Sequence, residues 1–399
     1  MMIDQRIVND RSIIEIVDEM IKKAICTRAS DIHIEPTDQY LRIRFRVDGA
    51  LREVSSFPLK LHLPFISRLK IMGELDIAEK RLPQDGRIIY KEDDRAIDLR
   101  ISTMPTILGE KIVLRILDKS LRFVDIQKMG FSEGNLRKYV SLYKKPYGMI
   151  LNTGPTGSGK TTTLYGTLSE LNDPSKNIVT IENPVEYRLD GINQIQINSK
   201  IDLSFSKTLR SVLRQDPNII MIGEIRDRET ARIAIHAAQT GHLVFSTLHT
   251  NHAIGAITRL VDIGIEPFLV SSSILGIVAQ RLVRLICPKC KISYKLDESV
   301  EDRETLEPYI KNPNTVLYKG RGCCDCNFTG YYGQTAIHEV LPMTKKIRNG
   351  INRQVSAEQL KEFAVEEGFV SMQQDGMQKV LTGQTTIQEI LRLAYEDSL

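Results

Sequence analysis

Eight residues near the middle of the chain have the spacing of a phosphate-binding loop. Residues 154–161 read GPTGSGKT, a pattern that offers backbone N–H groups, a lysine and a hydroxyl to the phosphates and the Mg²⁺ of a nucleoside triphosphate. A strand-like apolar run precedes this pattern and a helical pattern follows it, so a helix N-terminus is expected under the phosphates. The sequence therefore predicts a site for ATP or GTP. Its candidate ligands are Gly154, Pro155, Thr156, Gly157, Ser158, Gly159, Lys160, Thr161 and Thr162, and Thr161 is also the candidate ligand of Mg²⁺.

Carboxylates that could orient an attacking water follow two other apolar runs. Glu224 comes just after residues 219–222, a predicted parallel strand that would carry it to the sheet edge beside the phosphate loop. Glu182 and Glu186 flank Pro184, and we expect one of them to hold the water or the magnesium, although glutamates near a proline turn are usually just exposed. Glu224 is therefore the first candidate for the catalytic carboxylate.

Two further groups of polar residues could respond to the γ-phosphate. His249 comes just past a third apolar run, residues 243–247, where it is either a sensor of the γ-phosphate or part of the scaffold. Arginines in the first part of the chain could act as fingers on the nucleotide of a neighbouring subunit, but surface ion pairs explain them equally well. These arginines are Arg81, Arg87, Arg100 and Arg115.

Two pairs of cysteines have the spacing of metal ligands. Cys287 and Cys290 form one C-x₂-C pair, Cys323 and Cys326 form another, and four thiolates can bind a structural Zn²⁺ tetrahedrally. We prefer zinc to a redox function because neither pair opens a thioredoxin-like βαβ unit. Cys324 is a spare thiol that could compete as a ligand.

The order of the predicted elements divides the chain into several units. Helical spacing at residues 13–24, strict alternation at 41–47 and further strand patterns predict a first α+β domain. Alternating strands and helices then predict an α/β nucleotide-binding domain, with a parallel sheet covered by helices on both faces. The predicted boundaries are 1–117 for the α+β domain, 118–131 for a linker, 132–286 for the nucleotide-binding core, 287–332 for a zinc-binding insert with a hairpin or helix near 296–310, and 333–399 for a helical tail.

Composition limits the classes of function. The chain has 399 residues, 42% hydrophobic and 26% charged, and a net charge of +4 without a lysine or arginine block. These values indicate an ordinary soluble protein of more than one domain and argue against a dedicated nucleic-acid binder. The N-terminus has no export signal, and polar residues interrupt the most apolar stretch, residues 268–283, which is too short to span a membrane. We therefore expect a cytoplasmic protein. Peripheral contact of this protein with an anionic membrane surface is compatible with the same composition.

Motifs along nearly the whole chain resemble those of one family of motor proteins. The matching stretches are ASDIHIEP, RFRVDG, LDIAEKRLPQDGR, ISTMP, GPTGSGKTTTLY, TIENPVEY, LRQDPN, IGEIRD, TGHLVFSTLHTN, IEPFLVSSS, AQRLVR and the paired cysteines. Together they resemble the assembly ATPases of type II secretion systems and type IV pili. The stretches RFRVDGALREV and GIEPFLVSSS are most similar to the type II secretion members.

The resemblance implies a RecA-type P-loop ATPase core preceded by a PAS-like domain. It also implies a homohexamer that hydrolyses ATP with Mg²⁺ to drive pseudopilus assembly and protein export, or alternatively the extension of a type IV pilus. The implied partners are an inner-membrane platform protein and a cytoplasmic adaptor domain, with peripheral association at the bacterial inner membrane and no nucleic acid.

The resemblance also assigns roles to particular residues. By similarity, Lys160 and Thr161 serve the phosphate loop, residues 182–186 form the family's aspartate box, Glu224 ends the second nucleotide motif, His249 belongs to the histidine box, and Arg87 and Arg100 match arginines that approach the nucleotide.

The chain departs from the family pattern in three places. Asn183 stands where the family usually has aspartate, so the share of that box in metal or water binding is in doubt, and a scaffold that binds nucleotide without turnover is the alternative reading. Residues 331–334 lack the basic residues common after the second cysteine pair. The chain also begins close to ASDIHIEP, without the family's extra N-terminal domain, as a truncated chain or a naturally short protein would.

Overall fold

The computed structural model describes residues 12–92, 95–117, 125–295, 307–309 and 315–397. The chain divides into two compact units, Met1–Leu121 and Arg122–Leu399. The finer boundaries expected from the sequence stay predictions. Residues 118–124 of the expected linker, and all of the expected element at 296–310 except residues 307–309, lie outside the described residues.

The described part of the first unit is an antiparallel six-stranded sheet with two helices. Its elements are α1 (Ile13–Cys26), β1 (Ala29–Pro36), β2 (Tyr40–Val47), β3 (Ala50–Pro58), α2 (His62–Met72), β4 (Gln84–Glu92), β5 (Arg95–Thr106) and β6 (Gly109–Leu117), and the strand order is β3-β2-β1-β6-β5-β4. The alternation at 41–47 forms β2, whose Leu41, Ile43 and Phe45 are buried. On the opposite face, Arg42 and Arg44 pair with Glu35 of β1, so apolar and charged residues separate as the pattern predicts.

The second unit is built on a larger, mostly parallel sheet. Its elements are α3 (Glu133–Tyr143), β7 (Gly148–Thr153), α4 (Lys160–Leu171), β8 (Ile178–Glu182), β9 (Asn193–Gln196), α5 (Phe205–Val212), β10 (Ile219–Ile222), α6 (Arg228–Gln239), β11 (Leu243–Leu248), α7 (Ala253–Asp262), α8 (Pro267–Ser273), β12 (Ile274–Ile286), β13 (Lys291–Lys295), β14 (Val316–Gly320), β15 (Tyr331–Pro342), α9 (Lys345–Asn352), α10 (Ala357–Glu366), α11 (Met372–Leu381) and α12 (Ile387–Asp397). In the described residues, the main sheet has the order β15-β12-β7-β11-β10-β8-β9.

The central strands explain why the sequence reads as it does. Every residue of β7, β10 and β11 is buried, because helices cover both faces of the sheet, and such strands appear as continuous apolar runs. All pairs from β12 to β9 are parallel, so the carboxyl ends of β7, β8, β10 and β11 lie at the same edge. The predicted α/β fold with a parallel sheet is confirmed.

The helical tail begins later than the predicted residue 333. Residues 333–342 were expected in a helical tail, but they belong to β15, which pairs antiparallel with β12 and forms the edge of the main sheet. Its stretch from Ala336 to Leu341 is buried on both faces, so neither helical nor alternating periodicity marks it. Helices do follow from residue 345 onward.

The apolar stretch at 268–283 is divided between two elements. It forms most of the short helix α8 and the first part of β12. Across the described part of the chain, no helix combines the length and apolar character needed to cross a bilayer.

Candidate nucleotide site and cysteine cluster

The predicted phosphate loop lies between a buried strand and a helix. β7 ends at Thr153, and α4 begins at Lys160. Gly154 has a φ of +147°, and a Cβ at this position would lie 2.5 Å from the carbonyl oxygen of Gln280. Gly159, with a φ of +87°, is the N-cap of α4. Only glycine adopts both conformations without strain, so these two positions fix the strand, loop and helix arrangement that phosphate binding requires.

Lys160 is nearly buried within the loop. Its Nζ donates hydrogen bonds to the carbonyl oxygens of Gly154, 2.8 Å away, and Pro155, 2.9 Å away. Burial lowers the pKa of Lys160 to about 8, and the negative charge of Glu224 partly opposes this shift. Charged phosphate oxygens are stronger acceptors than these carbonyls, so they can replace them as partners of the ammonium group.

Glu224, His249 and Lys160 lie in one cluster. Glu224 follows β10, and its Oε2 is 3.5 Å from Nε2 of His249 and 2.7 Å from Nε of Arg226. The Glu224 side chain is only 14% exposed, whereas His249 is 51% exposed at the mouth of the cluster. Glu224 and His249, which were predicted at two separate strand ends, therefore meet at the carboxyl edge of the sheet, and the charge of Glu224 acts on Lys160 of the phosphate loop.

A pair of threonines links the phosphate loop to the histidine segment. Oγ1 of Thr153 lies 2.7 Å from Oγ1 of Thr250 and accepts the backbone N–H of Thr250 at 2.9 Å. Thr153 directly precedes Gly154, and Thr250 directly follows His249. Two hydrogen bonds therefore connect the residue after His249 to the residue before the phosphate loop.

Glu182 is engaged in a buried hydrogen-bond network. It lies at the end of β8, and its carboxylate accepts hydrogen bonds from the hydroxyls of Tyr165 and Thr180 and from the amide of Gln194. Burial raises the pKa of Glu182, while these hydrogen bonds act in the opposite direction. Tyr165 belongs to α4, so the network ties β8 to the helix that begins at the phosphate loop.

Glu186 is half-buried near the same network. Its backbone N–H lies 3.4 Å from the Tyr165 hydroxyl. Pro184 lies between Glu182 and Glu186, and Asn183, the residue that departs from the family pattern, is exposed beside it.

Gln280 is a residue of the site that the sequence analysis missed. It lies on β12, is 1% exposed, and its Nε2 donates a 2.7 Å hydrogen bond to the carbonyl oxygen of Ser158 in the phosphate loop. The backbone carbonyl oxygen of Gln280 lies against Gly154. A glutamine inside an apolar strand needs a partner when it is buried, and this is the signal that the sequence offered.

Three of the four candidate arginines of the first unit lie side by side on neighbouring strands, whereas Arg81 precedes β4 and pairs with Glu79 at 2.9 Å. Arg87 of β4 is directly opposite Arg100 of β5, and Arg100 is directly opposite Arg115 of β6. The guanidinium of Arg87 makes a bidentate pair with Asp98, with an Nε–Oδ1 distance of 2.7 Å, and Arg115 lies 3.0 Å from Asp31. Like charges directly opposite one another oppose strand pairing, and the carboxylates of Asp98 and Asp31 offset this repulsion at Arg87 and Arg115.

The four predicted zinc ligands surround a common centre. The Sγ atoms of Cys287 and Cys323 are 3.8 Å apart, those of Cys290 and Cys326 are 3.9 Å apart, and those of Cys323 and Cys326 are 3.7 Å apart. Four sulfurs bound at about 2.3 Å to a tetrahedral Zn²⁺ would be separated by about 3.8 Å. The spacing of the thiols therefore fits zinc and leaves no open ligand position.

Backbone N–H groups support the same cluster. Gly322 donates to Sγ of Cys290 at 3.3 Å, and Gly330 donates to Sγ of Cys326 at 3.3 Å. Such donors stabilise the thiolate form that binds metal. The side chain of Cys324 is exposed, and this thiol is not part of the cluster, so the structure gives no support to the expectation that it competes as a ligand.

Comparison with known proteins finds close relatives. The family described as "Type II/IV secretion system protein" matches residues 7–392. The type II secretion system ATPase E of Vibrio cholerae serotype O1 is 49% identical over 388 residues, which cover 97% of this chain and 76% of that protein. The type IV pilus assembly ATPase PilB of Thermus thermophilus is 48% identical over 381 residues, which cover 95% of this chain and 43% of that protein.

A solved structure has the same architecture. The pilus retraction motor PilT with bound ADP superposes with a TM-score of 0.62 and 26% identity. The superposition covers 94% of this chain and 96% of that one. The similarity therefore extends over both units and not only over the phosphate loop.

Proposed function

The chain belongs to the family of type II/IV secretion system proteins, as its motifs indicated, and we propose that it is an ATPase that drives pseudopilus assembly and protein export by a type II secretion system. The observation that carries this proposal is the cluster of Lys160, Glu224 and His249 beside the phosphate loop. It supports the proposal because a lysine ammonium, a carboxylate and an imidazole are the groups that phosphoryl transfer requires near the phosphates.

Each residue of the site has a separate task in this proposal. The N–H groups of the loop and the Lys160 ammonium bind the phosphates, and the Thr161 hydroxyl is the ligand that the loop offers to Mg²⁺. A bound Mg²⁺ would neutralise charge on the phosphates. Glu224 orients the attacking water, and His249, which shares the Glu224 carboxylate, responds to the γ-phosphate.

Glu182 and Glu186 act less directly in this assignment. Both carboxylate oxygens of Glu182 already accept hydrogen bonds within the described residues, so we assign it to positioning α4 through Tyr165. We keep Glu186 as the second candidate for holding the metal or the water, because it lies at the same strand end and is less buried.

We propose further that the active form is a homohexamer with shared sites. In this arrangement Arg87 and Arg100 approach the nucleotide of a neighbour, and Arg115 is added to them because it lies opposite Arg100. The partners are an inner-membrane platform protein and a cytoplasmic adaptor domain, and the protein works peripherally at the cytoplasmic face of the inner membrane. The cysteine cluster holds a structural Zn²⁺.

Phosphate release from Mg-ATP, measured over a range of protein concentrations, tests this proposal. We expect slow hydrolysis whose rate per subunit rises as subunits assemble. A constant rate per subunit would contradict the role of Arg87 and Arg100 in a neighbour's site. Absence of hydrolysis at every concentration would instead support the scaffold reading that Asn183 raised.

A pilus-extension ATPase is the second candidate function. The 48% identity to PilB of Thermus thermophilus over 95% of this chain favours it almost as strongly as the secretion relatives favour the first. Deletion of the gene in its host separates the two, because loss of secreted enzymes with normal pili indicates secretion and loss of pili indicates extension.

ATP binding is expected to weaken as the pH rises above about 8. Near this pH the Lys160 ammonium begins to lose its proton in the protein alone, whereas bound phosphates keep it protonated. Binding above pH 8 must therefore take up a proton, and the dissociation constant should rise by up to about tenfold per pH unit. Below about pH 7 this group should contribute no pH dependence.

Isothermal titration calorimetry with Mg-ATP in two buffers of different ionisation enthalpy measures this proton uptake. We expect about one proton at pH 9 and nearly none at pH 7 from Lys160. Lys160→Arg is the control, because arginine stays charged over the whole range. Equal uptake at both pH values would contradict the lowered pKa.

Gln280→Leu is expected to weaken nucleotide binding. The substitution keeps the volume but leaves the Ser158 carbonyl without its donor, at a cost of about 1–3 kcal/mol. If this free energy is lost from the nucleotide-binding conformation of the loop, ATP affinity falls by about 5- to 150-fold. A fluorescent ATP analogue measures the affinity, and Gln359→Leu on the exposed face of α10 is the matched control. Unchanged affinity with Gln280→Leu would show that β12 does not support the loop.

A further inference from the structure

A cationic groove lies between α5 and α6, outside the nucleotide site. Its cavity volume is about 780 Å³, and four arginines, Arg210, Arg214, Arg228 and Arg232, line it. The first two belong to α5 and the turn after it, and the other two to α6. Arg228 and Arg232 are four residues apart and share one face of α6, and Arg214 follows Arg210 by four residues in the turn after α5.

The groove carries more positive charge than its own carboxylates balance. Arg210 pairs with Glu229 at 2.7 Å, and Arg228 pairs with Glu266 at 3.3 Å, both at exposed positions where such pairs contribute little stability. Among the described residues, Arg214 donates only to acceptors at the end of the preceding helix α5, the carbonyl of Arg210 and the hydroxyl of Ser211. Its guanidinium is thus available to a carboxylate from outside.

The floor of the groove is apolar. Leu213 is partly buried against the core, and Ile233 is 9% exposed. A small anion would leave most of this volume unfilled and would gain nothing from the floor. An extended nucleic acid would need a long cationic track with stacking aromatic residues, and no aromatic ring of Phe, Tyr or Trp lines this groove.

We propose that this groove binds a short acidic segment of a partner protein, whose carboxylates pair with Arg214 and Arg232 and whose apolar side chain contacts Leu213 and Ile233. Arginine suits this task because its planar guanidinium binds a carboxylate through two parallel hydrogen bonds. A flat membrane surface could pair with the arginines but would gain little from Leu213 and Ile233, which are partly or almost fully buried.

The helix α6, which lines the groove, begins only four residues after Glu224 of the nucleotide site. Asp227 caps α6 by accepting the backbone N–H of Thr230 at 2.8 Å, and it stands three residues after Glu224. An occupant that binds Arg232 therefore restrains the helix whose N-terminal end continues into the loop of Glu224 and Arg226. This coupling rests on the proposed function, whereas binding in the groove does not.

Fluorescence anisotropy with a defined peptide tests the binding. The probe is a fluorescein-labelled dodecapeptide with the repeat glutamate–glutamate–leucine, added to the full chain with saturating Mg-ADP so that the phosphate loop is occupied. We expect the variant Arg214→Glu/Arg232→Glu to bind the probe at least about tenfold more weakly than wild type. The control variant Arg137→Glu/Lys145→Glu makes the same charge change at exposed positions on and after α3, and it should bind the probe like wild type.

The other outcomes are decisive against the proposal. Equal affinity of the groove variant and wild type would overturn it, and equal weakening in the control variant would reduce it to general attraction between charges. Tighter binding of a single-stranded oligonucleotide or of phosphatidylglycerol vesicles through the same arginines would assign the groove to a different partner. Circular dichroism of both variants establishes that they fold.

ATP hydrolysis measured with and without the peptide tests the coupling separately. A change of rate in wild type but not in the groove variant supports it. Specific peptide binding with no effect on the rate would leave the groove as a docking site and remove the coupling. Specific binding by a protein that hydrolyses no ATP would overturn the proposed function and leave the groove intact.

Discussion

Replacing Glu224 with glutamine is expected to lower the rate of ATP hydrolysis by about 10²- to 10⁴-fold while ATP still binds. The amide has the shape of the carboxylate but cannot accept a proton from the attacking water or polarise it as strongly. Binding should persist because Lys160 and the loop N–H groups, not Glu224, contact the phosphates in the proposed site. The loss of the negative charge near Lys160 should also move the onset of the pH dependence to lower pH.

Single-turnover phosphate release and ATP-analogue binding measure the two effects separately. Glu133→Gln, the same chemical change at an exposed position on α3, is the control and should leave both unchanged. A rate within twofold of wild type in Glu224→Gln would exclude Glu224 as the catalytic carboxylate and direct attention to Glu186. Loss of ATP binding in this variant would show that Glu224 acts through the structure of the site.

Replacing Cys326 with serine is expected to remove bound zinc and destabilise the second unit. Cys326 is buried and contacts both Cys290 and Cys323, so three thiols cannot complete the tetrahedron. Zinc contributes about 10–16 kcal/mol to small domains that fold only with metal. Inside a larger unit that has its own core, we expect a smaller contribution of about several kcal/mol. The thermal unfolding midpoint should fall accordingly, and a chelator added to wild type should reproduce the fall.

The neighbouring cysteine gives a matched control. Cys324→Ser makes the same substitution two residues away at an exposed thiol outside the cluster, so zinc content and thermal stability should stay as in wild type. Metal content is measured by inductively coupled plasma mass spectrometry on protein purified without a histidine tag. Full zinc occupancy in Cys326→Ser would show that the thiols do not form the predicted site.

Local patterns predicted those parts of the site that depend on neighbours in sequence. The phosphate loop and the C-x₂-C pairs are each defined within a few residues, so their spacing alone carries the chemistry. The strand-end positions of Glu224 and His249 followed from the rule that parallel strands bring their carboxyl ends to one edge.

Contacts that depend on the chain's topology could not be predicted in this way. Gln280 reaches the loop from a position 122 residues away, and Thr153 and Thr250 are 97 residues apart. Glu182 was correctly placed at a strand end, but its partners on α4 and β9 became visible only when those elements were packed together. β15 was missed because a strand buried on both faces has no periodicity that distinguishes it from a buried helix.

The cysteine cluster also affects how freely the chain can change in length. Cys287 directly follows β12, and its backbone N–H donates to the carbonyl of Gly330 just before β15, at 2.8 Å. Next to this hydrogen bond, β13 and β14 pair antiparallel, starting with Lys291 opposite Gly320. These contacts hold the two ends of the segment between β12 and β15 together. Each doubling of the length of that segment therefore costs only about 0.6 kcal/mol of loop-closure entropy. The length of this segment can therefore change at little cost while β12 keeps Gln280 hydrogen-bonded to the phosphate loop.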